Sequence, residues 1–263
     1  MLLVKIGGGA AINLDGIAVD LAALPGPVVV VHGANALRDR LAAQLGIEKR
    51  VITSASGYDS VFSDDSAIDL LMMAYAGLAN KRIVERVQRA GRNAIGLTGL
   101  DGRLVVAARN QGVRVREGTK TLLLRDRSDK PASVNSSLLR LLLDRGYTPV
   151  ITVPLLDEAG VAVNAENDDV MAVLQGVVRA RCIVQLIEAP GLLADPNDPG
   201  SLVTRLSVQE LERHEAGATG RFKRKLHALR KLFVDGDPVV TLADGRTEHP
   251  IADALAGKGT VIG

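Results

Sequence analysis

LLVKIGGG, residues 2–9, and VVVVHG, residues 28–33, decide the fold, because each is an apolar run of strand length that ends in glycine. A helical pattern follows each run, at residues 17–23 and 36–45. Strands that alternate with helices of roughly 10–15 residues predict an α/β protein whose sheet is mostly parallel. Such sheets bind ligands at the carboxyl ends of their strands, where both glycine runs fall.

The remaining elements continue this alternation. We expect helices over 66–90, 134–145, 167–179, 208–212 with Ser207 as N-cap, and 222–232, and strands over 93–97, 149–153, 182–186 and 238–242. Segment 102–131 interrupts the alternation of strands and helices. Its stretches LVVAA, VRVRE and TKTLLLR predict strands that are joined by turns at Gln111-Gly112 and Glu117-Gly118. The prediction is a three-layer αβα sandwich with a mostly parallel central sheet and an antiparallel hairpin excursion.

Composition excludes several classes of protein. Of 263 residues 47% are hydrophobic, which excludes a mainly disordered chain. The one cysteine, Cys182, excludes a disulfide framework, fits a reducing cytoplasm and is expected to be a buried, inert thiol. Aromatic residues make up 2% and tryptophan is absent, which argues against modules that stack nucleic-acid bases. The apolar runs are too short or too interrupted for a membrane span or a signal peptide, so we expect a cytoplasmic protein.

The charge is nearly balanced overall but uneven along the chain. The net charge is +2, yet the stretch from Arg103 to Lys130 holds eight basic residues against three acidic ones and is itself +5. This basic segment is either a solvated hairpin face or a docking surface for an acidic partner.

Four polar motifs could form a site. Lys5 precedes a run of glycines whose main chain either approaches a bound phosphate or simply forms a tight turn. His32 ends a strand, either as a neutral, hydrogen-bonded histidine or as a catalytic one. NAENDD, residues 164–169, either simply begins a helix with favourable acidic residues or also binds a ligand there. GRFKRK, residues 220–225, is either an anion-binding site or a solvated helix face. Together they indicate a phosphoryl-transfer site without Walker motifs.

In their order along the chain these motifs resemble the amino acid kinase family. The matching stretches are VKIGGG, VVVVHG, NAENDD, APGLL at 189–193, GRFKRK and the C-terminal GTVI at 259–262. Within the family the chain resembles the carboxylate kinases, acetylglutamate kinase and above all the [LysW]-aminoadipate/glutamate kinases, whose acceptor sits on a small acidic carrier protein. Segments 77–91, 94–109 and 242–262 support the finer match.

The resemblance implies a role for each matching residue. Lys5, Asp168 and Lys225 would be catalytic, the lysines neutralising phosphoryl charge and the aspartate holding them in place. The other implied sites are phosphate binding by Gly7, Gly8, Gly33 and Ala34, acceptor binding by Asn164 and the position of Val61, nucleotide binding by Gly191, Leu192 and Lys223, and carrier docking by Arg114, Arg116 and Lys120. The cofactors would be ATP and Mg²⁺, with no protein metal ligands, and the protein would be a homodimer. An N-terminal lobe, 1–155, would bind the acceptor and a C-terminal lobe, 156–263, the nucleotide, across one continuous sheet.

Three positions depart from the family's pattern. Ala34 stands where a second glycine is usual, and Glu188 stands where Asp, Asn or Ser is usual. Val61 stands where the branch carries an arginine that grips the acceptor's α-carboxylate. Either another cation, Arg38 or Lys49, could replace it, or the acceptor could differ from the family's usual one. The alternatives to a carrier-dependent kinase are an acetylglutamate kinase that acts on the free amino acid and a non-catalytic regulator that binds an amino acid or nucleotide. The product could feed lysine or arginine biosynthesis.

Overall fold

A computed structural model describes residues 1–48, 50–53, 59–109, 112–117, 120–195, 197–198, 200–218 and 220–263, with backbone alone at 53, 59–61, 113–117, 120–121 and 220–222. The strands are β1 Leu2–Ile6, β2 Val28–His32, β3 Val51–Thr53, β4 Asp59–Val61, β5 Ala94–Thr98, β6 Val105–Ala108, β7 Val113–Glu117, β8 Lys120–Leu124, β9 Lys130–Val134, β10 Thr148–Thr152, β11 Leu155–Asp157, β12 Ala162–Val163, β13 Cys182–Ile187, β14 Arg205–Leu206, β15 Val239–Asp244 and β16 Thr260–Ile262. The α-helices are α1 Leu14–Ala23, α2 Asn35–Leu45, α3 Asp65–Leu71, α4 Asn80–Arg89, α5 Ser136–Asp144, α6 Asn167–Val178, α7 Val208–Gly217, α8 Gly220–Lys231 and α9 Pro250–Leu255, and a π-helical segment, Met72–Ala79, joins α3 to α4.

The central sheet has eight strands in the order β14-β16-β15-β13-β1-β2-β10-β5. Neighbours run parallel except β15 and β16, so the predicted mostly parallel sheet is confirmed. Strand β1 lies in the interior of the sheet, and its Lys5 pairs in register with Gln185 on one side and Val31 on the other. The carboxyl ends of these three strands therefore lie side by side.

Side-chain alternation along β1 divides the core into two layers. Leu3 belongs to one buried cluster, together with residues of α5, α6 and α8. Leu2, Val4 and Ile6 belong to the other, together with residues of α1, α4 and α9. Helices on both faces of one sheet form the predicted αβα sandwich.

The excursion contains the predicted hairpin and two strands of a second sheet. Strands β7 and β8 form an antiparallel hairpin, while β6 pairs with β9 in a separate four-stranded sheet of order β12-β11-β6-β9. The prediction of a helix from residue 134 was wrong at its start, because Val134 ends β9. Asn135 then caps α5, since its side chain accepts a hydrogen bond from the N–H of Leu138 at 3.1 Å. The predicted turns fall partly on residues 110–111 and 118–119, which lie outside the described residues.

The predicted helix over 66–90 exists, but its middle is π-helical. Tyr75 in that segment is buried, whereas Met73 is 44% and Leu78 39% exposed. One face of the helix is therefore core, while Met73 and Leu78 lie on an exposed face, and the homodimer stays a prediction. Among the described residues, no helix combines the length and the apolar character needed to cross a membrane.

Each half of the chain supplies one half of the central sheet. Strands β1, β2, β5 and β10 precede residue 155, and β13 to β16 follow residue 156. This division runs through one continuous sheet. The assignment of the two halves to acceptor and nucleotide stays a prediction.

Candidate active site

Lys5, Asp168 and Lys225 converge at the carboxyl edge of the sheet. The ammonium group of Lys5, near the end of β1, forms an ion pair with the carboxylate of Asp168, in the first turn of α6. Their side chains are 15% and 30% exposed. Burial, reinforced by the nearby ammonium of Lys5, lowers the pKa of Lys225, and Asp168 opposes that shift. Lys225 thus lies close enough to Lys5 and Asp168 to interact with their charges, and Asp168 lies at a helix N-terminus that favours negative charge.

The two glycine-rich strand ends pack directly against each other. A Cβ on Gly8 would lie 2.7 Å from the nitrogen of Asn35 and 2.8 Å from that of Ala34, so no side chain fits there. The N–H of Gly7 donates to the carbonyl of Leu186, and that of Gly33 to the carbonyl of Ile6, each at 2.9 Å. Both of these amides continue the sheet, whereas the N–H of Gly8 has no acceptor within the described residues. Of these three glycine amides, that of Gly8 is therefore the one open to a ligand in the described part of the chain.

Tyr75, in the π-helical segment, contacts the start of α2 beside these glycines. Its hydroxyl donates to Oδ1 of Asn35 at 2.5 Å. Burial raises the pKa of Tyr75, and a hydrogen bond from the N–H of Ala34 acts in the opposite direction. The hydroxyl of Tyr75 therefore lies beside the amide of Ala34.

His32 is a structural histidine. It is fully buried, with Nδ1 3.3 Å from the carbonyl oxygen of Gly33 and Nε2 3.1 Å from Nδ2 of Asn80. Burial lowers its pKa to about 4. The imidazole is neutral and bonded at both nitrogens, so of the two interpretations left open by the sequence the structure favours the hydrogen-bonded one.

Asn164 meets the segment that follows Val61. Nδ2 of Asn164 donates to Oγ of Ser63 at 3.2 Å, and Ser63 follows β4 by two residues. The main chain of Arg127 lies between them, since its N–H donates to Ser63 and its carbonyl accepts from the N–H of Asn164. The structure thus brings Asn164 next to the loop after Val61, while the side chain of Val61 lies outside the description.

The predicted nucleotide-binding residues form two groups. The N–H of Leu192 donates to Oγ1 of Thr260 at 2.7 Å, and a Cβ on Gly191 would lie 2.6 Å from that same oxygen. Leu192 is buried, so it anchors this loop to β16. Lys223, two residues before Lys225 on α8, is half-buried and makes no ion pair in the described part of the chain.

Glu188 and Asn167 belong to the site, although the motifs did not assign them a role. Oε1 of Glu188 accepts a hydrogen bond from the N–H of Ala11 at 2.6 Å, which ties the loop after β1 to the end of β13. A Cβ on Gly9 would overlap that carboxylate. Oδ1 of Asn167, at the start of α6, is buried and has no hydrogen-bond partner among the residues that the structure describes. An unsatisfied buried polar atom in a charged cleft is a signal that only the structure provides.

The predicted docking residues do not share one face of the hairpin. The register pairs Arg114 with Leu123, Arg116 with Thr121 and Glu117 with Lys120. Alternation in an antiparallel pair therefore places residues 114 and 116 on one face and residue 120 on the other. Leu123, on the first face, is 53% exposed.

The described residues contain no group of three or more His, Cys, Asp or Glu side chains that could hold a metal ion. Two carboxylates in the first turn of α6 are already engaged, Asp168 with Lys5 and Asp169 with Lys231.

Comparison with known proteins gives the family. The model of the amino acid kinase family matches residues 1–244. The [LysW]-aminoadipate kinase of Thermus thermophilus is 40% identical over the whole of both chains, and the acetylglutamate kinase of Methanopyrus kandleri is 31% identical over the whole of both. The crystal structure of N-acetylglutamate synthase from Neisseria gonorrhoeae, with coenzyme A and N-acetylglutamate, has a similar fold, with a TM-score of 0.77 and 21% identity over 99% of this chain and 58% of that one. The sequence relatives are kinases, this chain is an enzyme of that class, and it belongs to the amino acid kinase family.

Proposed function

We propose that the protein transfers the γ-phosphoryl group of ATP to the side-chain carboxylate of aminoadipate or glutamate held on a small acidic carrier protein. It is an ATP-dependent carboxylate kinase. The observation that carries the proposal is the convergence of Lys5, Asp168 and Lys225 beside the free amide of Gly8. The relative from Thermus thermophilus supports the choice of acceptor.

The reaction needs charge compensation and alignment rather than a general base. A carboxylate oxygen of the acceptor attacks the γ-phosphorus, the bond to the bridging oxygen of the β-phosphate breaks, and ADP leaves with that electron pair. The attacking group is already ionised, so no proton moves. Lys5 and Lys225 would offset the charge on the transferring phosphoryl and the leaving diphosphate, and Asp168 would keep the two ammonium groups in place. ATP would bring Mg²⁺ on its phosphates, which offsets further phosphate charge.

The two ends of the site would separate the substrates. Asn164 and the loop after Val61 would hold the acceptor, and the lobe formed by residues 1–155 contributes that loop. The Gly191-Leu192 loop and Lys223 would border the ATP, on the side of the C-terminal half. Positioning of this kind is a large part of catalysis when two substrates must meet in line.

The hairpin β7–β8 would dock the carrier. It lies alongside β3, whose partner β4 ends at Val61, so a carrier bound there would stand next to the acceptor end. The face with residues 114 and 116 also holds the exposed Leu123, and an apolar residue among cations suits a contact with an acidic protein.

The test is ADP release with three acceptors: carrier loaded with aminoadipate or glutamate, free N-acetylglutamate, and none. We expect turnover with the loaded carrier alone, and a loss of at least about a hundredfold in kcat for Lys225→Ala, as for other charge-stabilising groups. Lys258→Ala, at an exposed ammonium paired with Asp253, is the matched control and should leave kcat unchanged. Efficient use of free N-acetylglutamate would instead assign the protein as an acetylglutamate kinase. ATP binding without any turnover would assign it as a regulator.

A further inference from the structure

The proposed acceptor has a second, free carboxylate that this chain must bind without an arginine at residue 61. A valine cannot pair with a carboxylate, so a cation should lie near the loop after β4 and Asn164. This inference rests on the proposed function, since it concerns the acceptor of that same site.

Arg127 is fixed at this position by its main chain. Its N–H donates to the carbonyl of Ser63 at 2.8 Å, and its carbonyl accepts from the N–H of Asn164 at 2.7 Å. The neighbouring Asp126 accepts hydrogen bonds from the N–H of Ser63 and from Ser128, and so fastens the same loop. Arg127 therefore projects from a backbone that is bonded to both parts of the predicted acceptor end.

The guanidinium group of Arg127 already holds a replaceable carboxylate. NH2 of Arg127 lies 2.7 Å from Oδ1 of Asp65, with side chains 39% and 80% exposed. An exposed ion pair with one close contact is weak, because water screens it and both side chains lose freedom. A ligand carboxylate could take the place of Asp65 and use two parallel N–H donors, which is the stronger geometry.

The chain sets an upper limit on the distance between the main chain of Arg127 and the phosphoryl site. Asn164 and Asp168 are four residues apart, and four residues of extended chain span at most about 14 Å. Asp168 pairs with Lys5, so the amine end of Lys5 and the main chain of Arg127 mark the two ends of this interval.

Other cations have different positions or partners. Arg38 donates through both Nε and NH2 to its neighbour Asp39, at 2.9 and 2.8 Å. Arg50 stacks on the ring of Phe62, 4.4 Å from its centroid. Lys49 lies outside the described residues. We infer that Arg127 binds the free carboxylate of the acceptor, exchanging Asp65 for it, and so replaces the arginine that is missing at Val61.

The test combines protein variants with a matched pair of ligands. The ligands are N-acetyl-aminoadipate, which needs no carrier, and the same compound with its α-carboxylate converted to a carboxamide. Calorimetry should show that the unmodified protein binds the acid roughly tenfold to a hundredfold more tightly than the amide, as expected for a charge-assisted pair. Arg127→Gln should bind the two equally, with unchanged affinity for ATP.

The controls separate this role from general charge. Arg140→Gln removes one exposed cation from α5 and should keep the preference for the acid. Asp65→Asn should strengthen binding of the acid, because the competing carboxylate is gone. An Arg127→Gln protein that still prefers the acid overturns the inference, and so does an Arg125→Gln protein that loses the preference to the same extent. Since binding is the readout, a protein without kinase turnover would refute the proposed function and still decide the role of Arg127.

Discussion

Acidification should destabilise the protein through His32, at the carboxyl end of β2. This imidazole is fully buried, and its Nε2 faces Nδ2 of Asn80 at 3.1 Å. Because an amide nitrogen only donates, Nε2 must be the acceptor and Nδ1 must carry the proton. Protonation would place a second N–H against the amide of Asn80 and a charge in the core.

The expected size follows from the two pKa values. Burial holds the pKa of folded His32 at about 4, against 6.5 for the unfolded chain. The unfolded state therefore binds more protons between these values, and the free energy of unfolding falls as the pH is lowered through that window. At 1.36 kcal/mol for each pH unit, the loss between pH 7 and pH 4 is about 3 kcal/mol.

The assay is urea unfolding, followed by circular dichroism, of the unmodified protein and of His32→Gln at several pH values from 7 to 4. At pH 7 His32→Gln should have the lower free energy of unfolding, because it loses the hydrogen bonds of the imidazole. The difference in free energy of unfolding between the two proteins should shrink by about 3 kcal/mol at pH 4. His249→Gln is a control of opposite sign, since a hydrogen bond to Asp20 raises the pKa of His249. The stabilisation from His249 is present at low pH and is lost as the pH rises through its folded pKa.

Two results would refute this reasoning. One is a pair of stability curves for the unmodified protein and His32→Gln that run parallel from pH 7 to pH 4. The other is an NMR titration in which the His32 ring protonates near 6.5, the value of an unperturbed imidazole.

Three further predictions concern the site and the hairpin. Since burial and Lys5 lower the pKa of Lys225, kcat should begin to fall at a pH below the ordinary lysine range, and a profile that stays flat to about pH 10 would contradict a charged role for this lysine. Reversing the charges of Arg114 and Arg116 should raise the KM for the loaded carrier and reduce the salt dependence of that KM, with the KM for ATP unchanged. Reversing the charge of Lys120, on the other face, should have a smaller effect on the KM for the carrier. Equal effects would argue against docking by one face. In the Arg127→Gln protein, where Arg127 no longer holds the carboxylate, Val61→Arg should improve use of free N-acetylglutamate. Steady-state kinetics that show no gain in that background would mean that residue 61 does not face the acceptor.

The order of strands and helices could be predicted because apolar runs and glycines mark it locally. Strand β1, Leu2–Ile6, ends just before the glycines, as the pattern of residues 2–9 predicted, and α6 ends one residue before its predicted end. The π-helical segment Met72–Ala79 could not be predicted in this way, because an apolar helical pattern does not distinguish an α-turn from a π-turn. The border between β9 and α5 was misplaced for a similar reason. Val134 fits either element, and the cap at Asn135 decides between them.

The candidate site shows where sequence reasoning stops. Glycines after two strands predicted a phosphate-binding site. The sequence does not say which of their amides form hydrogen bonds within the sheet, and the structure shows that those of Gly7 and Gly33 do. Arg127 was hidden for a different reason. In the sequence it is one cation among eight in the basic segment, and a count of charges treats them alike. What distinguishes Arg127 is a pair of main-chain hydrogen bonds to residues far along the chain, Ser63 and Asn164, and only the folded arrangement of strands brings those residues together.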